Sequence, residues 1–353
     1  MAAKPRSRTR MLCHLQLVTF LAITILLAAP LIAFAKKPAS SAKNLLHQQK
    51  IRLLKTLEEK SDLSKSQLKQ LSHILLSGRF ISQGNPSPTE HPVRRETCLE
   101  TLKEHPLPPS GKASQQCGRT FMVPIYPSEN GINPEVCIDQ FEFPGIPCEY
   151  PLVWVRANEA HKICQAVGKR LCDAAEWEQA CAGKPRKSDY VFRAQGQKLK
   201  ESHRAQRVAL NKSREKIWSY GEKQNHGLCG TGSKKSPGCD KAIAGGGSVW
   251  KQCGSNTYPA GYFRSCRSPS GAYDLHGNAA EHMNLPLSPG EQTYKAGTGV
   301  VEMKGSWFIF GRYPAHPDDC FWRAPFWHGT RLTNPKSHHN YHLGFRCCKS
   351  IDI

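Results

Sequence analysis

Gly168-Lys169-Arg170-Leu171-Cys172-Asp173-Ala174-Ala175-Glu176-Trp177-Glu178 is the stretch that decides how this chain folds. Asn158 to Val167, just before it, has the pattern of a short helix, and Gly168 can take the left-handed backbone that closes one. Asp173 then opens a second helix, with Glu176 three residues on as the other half of a capping box. Trp177 is expected to face inward from that helix, so this segment is structural and does no chemistry. Two further segments follow it at long range. They are Tyr273-Asp274-Leu275-His276-Gly277-Asn278-Ala279-Ala280-Glu281 and Leu343-Gly344-Phe345-Arg346-Cys347-Cys348.

The N-terminal 35 residues read as an export signal. Lys4, Arg6, Arg8 and Arg10 precede an apolar run from Leu15 to Phe34, which closes on Ala33-Phe34-Ala35. That order fits a leader cut after a small-x-small triplet. A run of about 20 apolar residues also suits an uncleaved anchor. Pro30 and the triplet favour cleavage, and both readings send the rest of the chain to the periplasm or the extracellular space. Fourteen of the 15 cysteines follow the leader, an even number that reads as a disulfide framework. Zinc is the rival, but the chain has no Cys-x-x-Cys, and adjacent Cys347-Cys348 is poor chelate geometry. The formal charge of +21 falls to +17 without the four leader basics. These charges are spread along the chain without aromatic interleaving, which argues against a nucleic-acid groove. A solvated basic surface with weak affinity for lipid or polysaccharide polyanions fits better.

Residues 40–78 show helical periodicity. Leu46, Ile51, Leu54 and Leu57 form a first stripe, Ser61-Asp62-Leu63 interrupts it, and Ser64-Lys65-Ser66-Gln67 looks like a capping box. Leu68, Leu71, Ile74 and Leu75 continue on a second helix. The resulting hairpin needs a partner, either the main domain or a second copy. Residues 79–110, rich in Pro, Ser and Gly, read as a linker. The main domain occupies 111–353, and its roughly 240 residues can bury a real core.

Taken in order and spacing, the three quoted segments resemble the formylglycine-generating (sulfatase-modifying factor) family. The resemblance covers roughly 111–353. It implies a mixed α/β, irregular, disulfide-rich fold related to C-type lectins, here preceded by the helical hairpin. It also implies the bridges Cys164–Cys347 and Cys181–Cys320, the second through Cys320-Phe321-Trp322-Arg323. Ten cysteines remain for up to five further bridges without assigned partners.

Read alone, Asp274, Gly277, Ala279 and Glu281 suit two structures. One is a calcium loop mixing carboxylates with main-chain carbonyls; the other is a tight turn in which Asp274 and Asn278 satisfy backbone amides. The resemblance implies a structural calcium held by all four residues, and a second calcium upstream with Asn225 as a candidate ligand.

The family's oxidase converts a substrate cysteine to formylglycine and holds copper(I) on two cysteines five positions apart. Here the matching stretch is Lys304-Gly305-Ser306-Trp307-Phe308, and the two positions fall at Ile309 and Pro314. Neither can replace a soft thiolate, so copper is not expected. Ser306, Trp307 and Arg323 could line a groove for a peptide or anionic ligand; the competing reading makes Arg323 a core ion-pair residue. His316, His328, His338, His339 and His342 are read as solvent-facing loop residues. The expected function is an exported, calcium-stabilised binding or accessory domain without oxidase activity. The alternatives are a formylglycine-generating oxidase using rearranged cysteines such as Cys348 and Cys320, and another metal-dependent oxidation run by the late histidines.

Overall fold

Ser64 accepts a hydrogen bond from the Gln67 amide at 3.2 Å, and the Gln67 side chain returns one from the Ser64 amide at 2.9 Å. This reciprocal cap breaks the N-terminal segment into α1 (Ala42–Lys60) and α2 (Lys65–Ser77). The computed structural model describes residues 42–107, 115–125, 135–184, 188–212, 215–245, 249–324 and 329–351. The leader read in residues 1–35 lies outside them. The unit Ser40–Ile353 is compact in its contacts. Among the described residues no helix is long and apolar enough to cross a membrane.

The hairpin finds its partner in the main domain. Leu53, Leu57, Leu71 and Leu75 are buried in one cluster with Val155, Ala160, Ile163 and Val167. The stripe of α1 runs through Lys50, Leu53 and Leu57, and Ile51 is left 46% exposed. The cause is Lys50, which turns inward and donates to the Gly78 carbonyl at the end of α2. Leu71→Ala should therefore lower the stability of the whole domain by about 2–5 kcal/mol. Urea unfolding followed by tryptophan fluorescence checks this; a hairpin that melts alone would leave the main transition unmoved.

Residues 79–107 are not a free linker. Ile81, Ser82, Gln83 and Asn85 are buried. Ser82 bridges to Val153, and the Gln83 amide donates to Glu149 at 2.9 Å. Helix α3 (Arg95–Glu104) is tied down by Cys98–Cys148. Proline and glycine here mark irregular backbone whose polar groups are met by side chains, which composition cannot distinguish from a mobile tether.

Two small sheets form the centre. Strands β1 (Met122–Ile125), β2 (Val136–Asp139), β3 (Arg170–Leu171) and β7 (Cys347–Ser350) make one, in the order β1-β2-β7-β3, all antiparallel. Strands β4 (Ala280–Leu285), β5 (Val300–Lys304) and β6 (Leu343–Phe345) make the other, ordered β5-β4-β6, with β4 and β6 parallel. Helices α4 (Ala157–Ala166) and α5 (Ala174–Ala182) flank β3 in sequence, with Gly168 at φ +73°. Further along, α6 (Leu199–Asn211) and α7 (Cys239–Ala244) complete the helices used below.

Seven disulfides staple these elements. Cys164–Cys347 and Cys181–Cys320 are present, with Cys98–Cys148, Cys117–Cys137, Cys172–Cys348, Cys229–Cys266 and Cys239–Cys253. Such density fits an oxidising compartment.

Candidate functional site

The loop before β4 curls because Asp274, Gly277 and Asn278 all adopt positive φ, at 56°, 76° and 55°. Gly277 has a second constraint, since a Cβ there would lie 2.8 Å from the Gly230 backbone. The curl turns the Ala279 amide and the Asn278 side chain onto Glu142, at 2.7 and 2.6 Å. The Gly277 amide donates to the Ser306 hydroxyl at 2.9 Å, and the Gly261 amide donates to Asp274. Glu281, at the start of β4, accepts from the Trp177 indole at 2.8 Å and from the Arg346 guanidinium at 2.6–2.9 Å.

Glu142, Asp274, Glu281 and Arg346 are each at most 1% exposed. Three carboxylates against one guanidinium leave two uncompensated negative charges when all are ionised. Burial therefore pushes the Asp274 carboxyl up to about 7. Burial, followed by the charges of Asp274 and Glu281, raises Glu142 well above the carboxylate range. A hard dication would balance this charge, and oxygen donors suit calcium. Glu281 has both oxygens on Arg346, and Ala279 and Gly277 offer their amides to Glu142 and Ser306. Among the described residues, the three carboxylates are not gathered within 4.8 Å of one another. Asp274 and Glu281, with the Gly277 and Ala279 carbonyls, are the ligands the resemblance implies, and Glu142 is a third carboxylate that interacts electrostatically with both acids. The side-chain oxygen of Asn225 caps the short turn His226–Leu228 by accepting from the Gly227 amide.

Ser306, Trp307 and Arg323 do not line a groove. Arg323 is fully buried and pairs with Glu178 through two hydrogen bonds of 2.7 and 2.9 Å. Lys304 donates to the same carboxylate at 2.7 Å. Burial raises the Glu178 carboxyl, but Arg323 and Lys304 outweigh it and hold the group below its usual range. Ser306 is buried under Gly277, and Trp307 stacks on His342 at 4.5 Å. Ile309 lies in the core and Pro314 on the surface.

The late histidines are less exposed than loop residues should be. His316 stacks on Trp322 at 4.0 Å, and burial pushes His342 down to about 3 and His339 to about 4. Only His338 among the described four is exposed, while His328 lies outside the described residues. Among the described residues no three of these histidines form a ligand cluster.

Sequence reasoning missed Glu142 and the role of Arg346. Nothing near Glu142 in the chain marks it. Arg346 was visible within Gly-Phe-Arg-Cys, but its partner lies 65 residues away.

Two small sheets, short helices and seven disulfide staples define an irregular, bridge-stabilised mixed α/β domain. The family described as the sulfatase-modifying factor enzyme 1-like domain matches residues 142–351, and the chain belongs to it. A solved structure titled "Crystal Structure of CarF" aligns with 63% of this chain and 88% of that chain, at 12% identity and a TM-score of 0.26. That likeness is too slight to define a shared fold. No curated protein matches the chain.

Proposed function

We propose that this protein is an exported, calcium-stabilised binding or accessory member of the family, without formylglycine-generating oxidase activity. The observation that carries the reading is that all fourteen cysteines from Cys98 to Cys348 are paired in seven disulfides. Copper(I) chemistry of the family type needs two free thiolates, and Ile309 and Pro314 stand where those would be. An oxidase built on Cys348 and Cys320 must first break Cys172–Cys348 and Cys181–Cys320. Incubation with copper(I), oxygen and a Cys-x-Pro-x-Arg peptide should yield no aldehyde; turnover sinks the reading.

A basic recess of about 400 Å³, lined by Lys234, Lys235, Lys241, Arg312 and Tyr313, supports a polyanionic or peptide partner. It lies beside Pro314 in sequence, and its lysines and arginine suit an anionic ligand.

The calcium part of the proposal has its own test. The folded state raises Asp274 to about 7 and raises Glu142 well above the carboxylate range. Without a cation, these groups add stability below their unfolded pKa of about 4 and lose it as pH rises through the folded values. Calcium should reverse that loss. The calcium-induced rise in Tm of chelator-treated protein is therefore expected to grow from pH 5 to pH 8. At 100 times Kd the stabilisation would be about 2.7 kcal/mol. No heat of binding and no rise at either pH removes calcium from the proposal.

A further inference from the structure

Apart from the carboxylate centre, a second group of donor atoms converges where the loop after α6 meets the segment leading to Cys320. Asp318 is buried, and its Oδ1 accepts from the Trp218 indole at 2.9 Å and from the Gln224 amide nitrogen at 3.0 Å. Its Oδ2 is also buried, yet no donor meets it in hydrogen-bonding geometry. The Ser306 hydroxyl comes close enough to help keep this carboxylate ionised. His226 Nε2 lies 3.3 Å from that orphaned oxygen and 2.9 Å from the Gln224 amide nitrogen.

The turn that positions His226 is fixed from both sides. Asn225 caps it through the Gly227 amide, and Thr231 donates to the His226 carbonyl at 2.7 Å. Phe310 packs edge-on against the ring at 5.4 Å. The imidazole is 22% exposed, so solvent reaches it, while the Asp318 side chain is fully buried. Behind it, His276 is anchored to the Asp318 main-chain carbonyl at 2.7 Å and to the Ser219 hydroxyl at 3.0 Å.

We infer that Asp318, His226 and Gln224 form a binding site for a divalent first-row transition metal of the zinc type. An ionised, buried oxygen that no donor meets in good hydrogen-bonding geometry is costly unless a cation meets it. The amide of Gln224 can rotate half a turn, which puts its oxygen where its nitrogen now sits. The Gln224 oxygen would then lie 2.9 Å from His226 Nε2 and 3.0 Å from Asp318 Oδ1, while His226 Nε2 lies 3.3 Å from the other carboxylate oxygen, Oδ2. Metal–ligand bonds of about 2.0–2.2 Å produce edges of that size. One imidazole and two oxygens suit zinc, nickel or iron(II), and the set has no thiolate to select copper(I). The Trp218 indole holds the carboxylate in place, as outer partners of metal ligands do. The exposed side of His226 leaves room for water on the metal. The site is separate from the calcium proposal and stands if that one fails.

Cobalt(II) is the probe, added to chelator-treated, disulfide-intact protein with calcium in excess. One equivalent should bind and give the visible absorption of a low-coordinate cobalt centre. His226→Ala, at a partly exposed position, should keep its Tm and lose the band. Trp218→Phe should weaken binding about 10- to 100-fold. Absence of the band in the parent protein overturns the assignment, and so does an unchanged band in His226→Ala.

Discussion

Glu178→Ala is expected to lower the unfolding free energy by about 3–5 kcal/mol, the cost of leaving a buried charge without its partner. Two cations depend on this carboxylate. Arg323 and Lys304 are both fully buried and both donate to Glu178 at 2.7 Å. Removing it strands two positive charges on the inner side of α5 and β5, where water cannot follow. Glu178→Gln should cost less, because the amide oxygen still accepts one of the bonds. Chemical denaturation of the three proteins checks the order. A loss below about 1 kcal/mol, the range of exposed ion pairs, would mean that Arg323 reaches solvent and can serve a groove after all.

The other large effect concerns the disulfides. Cys164 and Cys347 are 183 residues apart, and Cys239 and Cys253 only 14. In the loop-entropy account the long bridge contributes about 5 kcal/mol and the short one about 3 kcal/mol. The double serine variant at 164 and 347 should therefore be the less stable of the two by about 2 kcal/mol on that account. It also detaches β7 from α4, which loosens the hairpin packed on the same cluster. Equal stabilities would show that strain or residual structure, not chain entropy, governs these bridges.

Local features were legible in the sequence because their causes are local. The Ser64–Gln67 cap, the helix ending near Gly168 and the inward-facing Trp177 each rest on residues a few positions apart. The bridges Cys164–Cys347 and Cys181–Cys320 were readable only through family resemblance, since no local rule links residues so distant. Other readings failed where composition stood in for contact. Proline and glycine around residue 85 suggested a tether, yet Asn85 donates to the Trp250 carbonyl at 2.7 Å across 165 residues. Ile51 looked like a core residue by spacing, but the buried Lys50 shifted the inward face of α1. The carboxylate centre was half visible. Asp274 and Glu281 share one short segment, whereas Glu142 comes from far upstream and Arg346 from the C-terminal strands. The Asp318–His226 pair, separated by 92 positions, left no pattern to read.

The fourteen cysteines from Cys98 to Cys348, all paired, leave no thiol with which to hold copper(I). Counting reactive thiols in denatured, unreduced protein measures this directly. The expected result is no free thiol among the fourteen cysteines from Cys98 to Cys348. Two reactive thiols per chain, protected by copper(I) before denaturation, would contradict it.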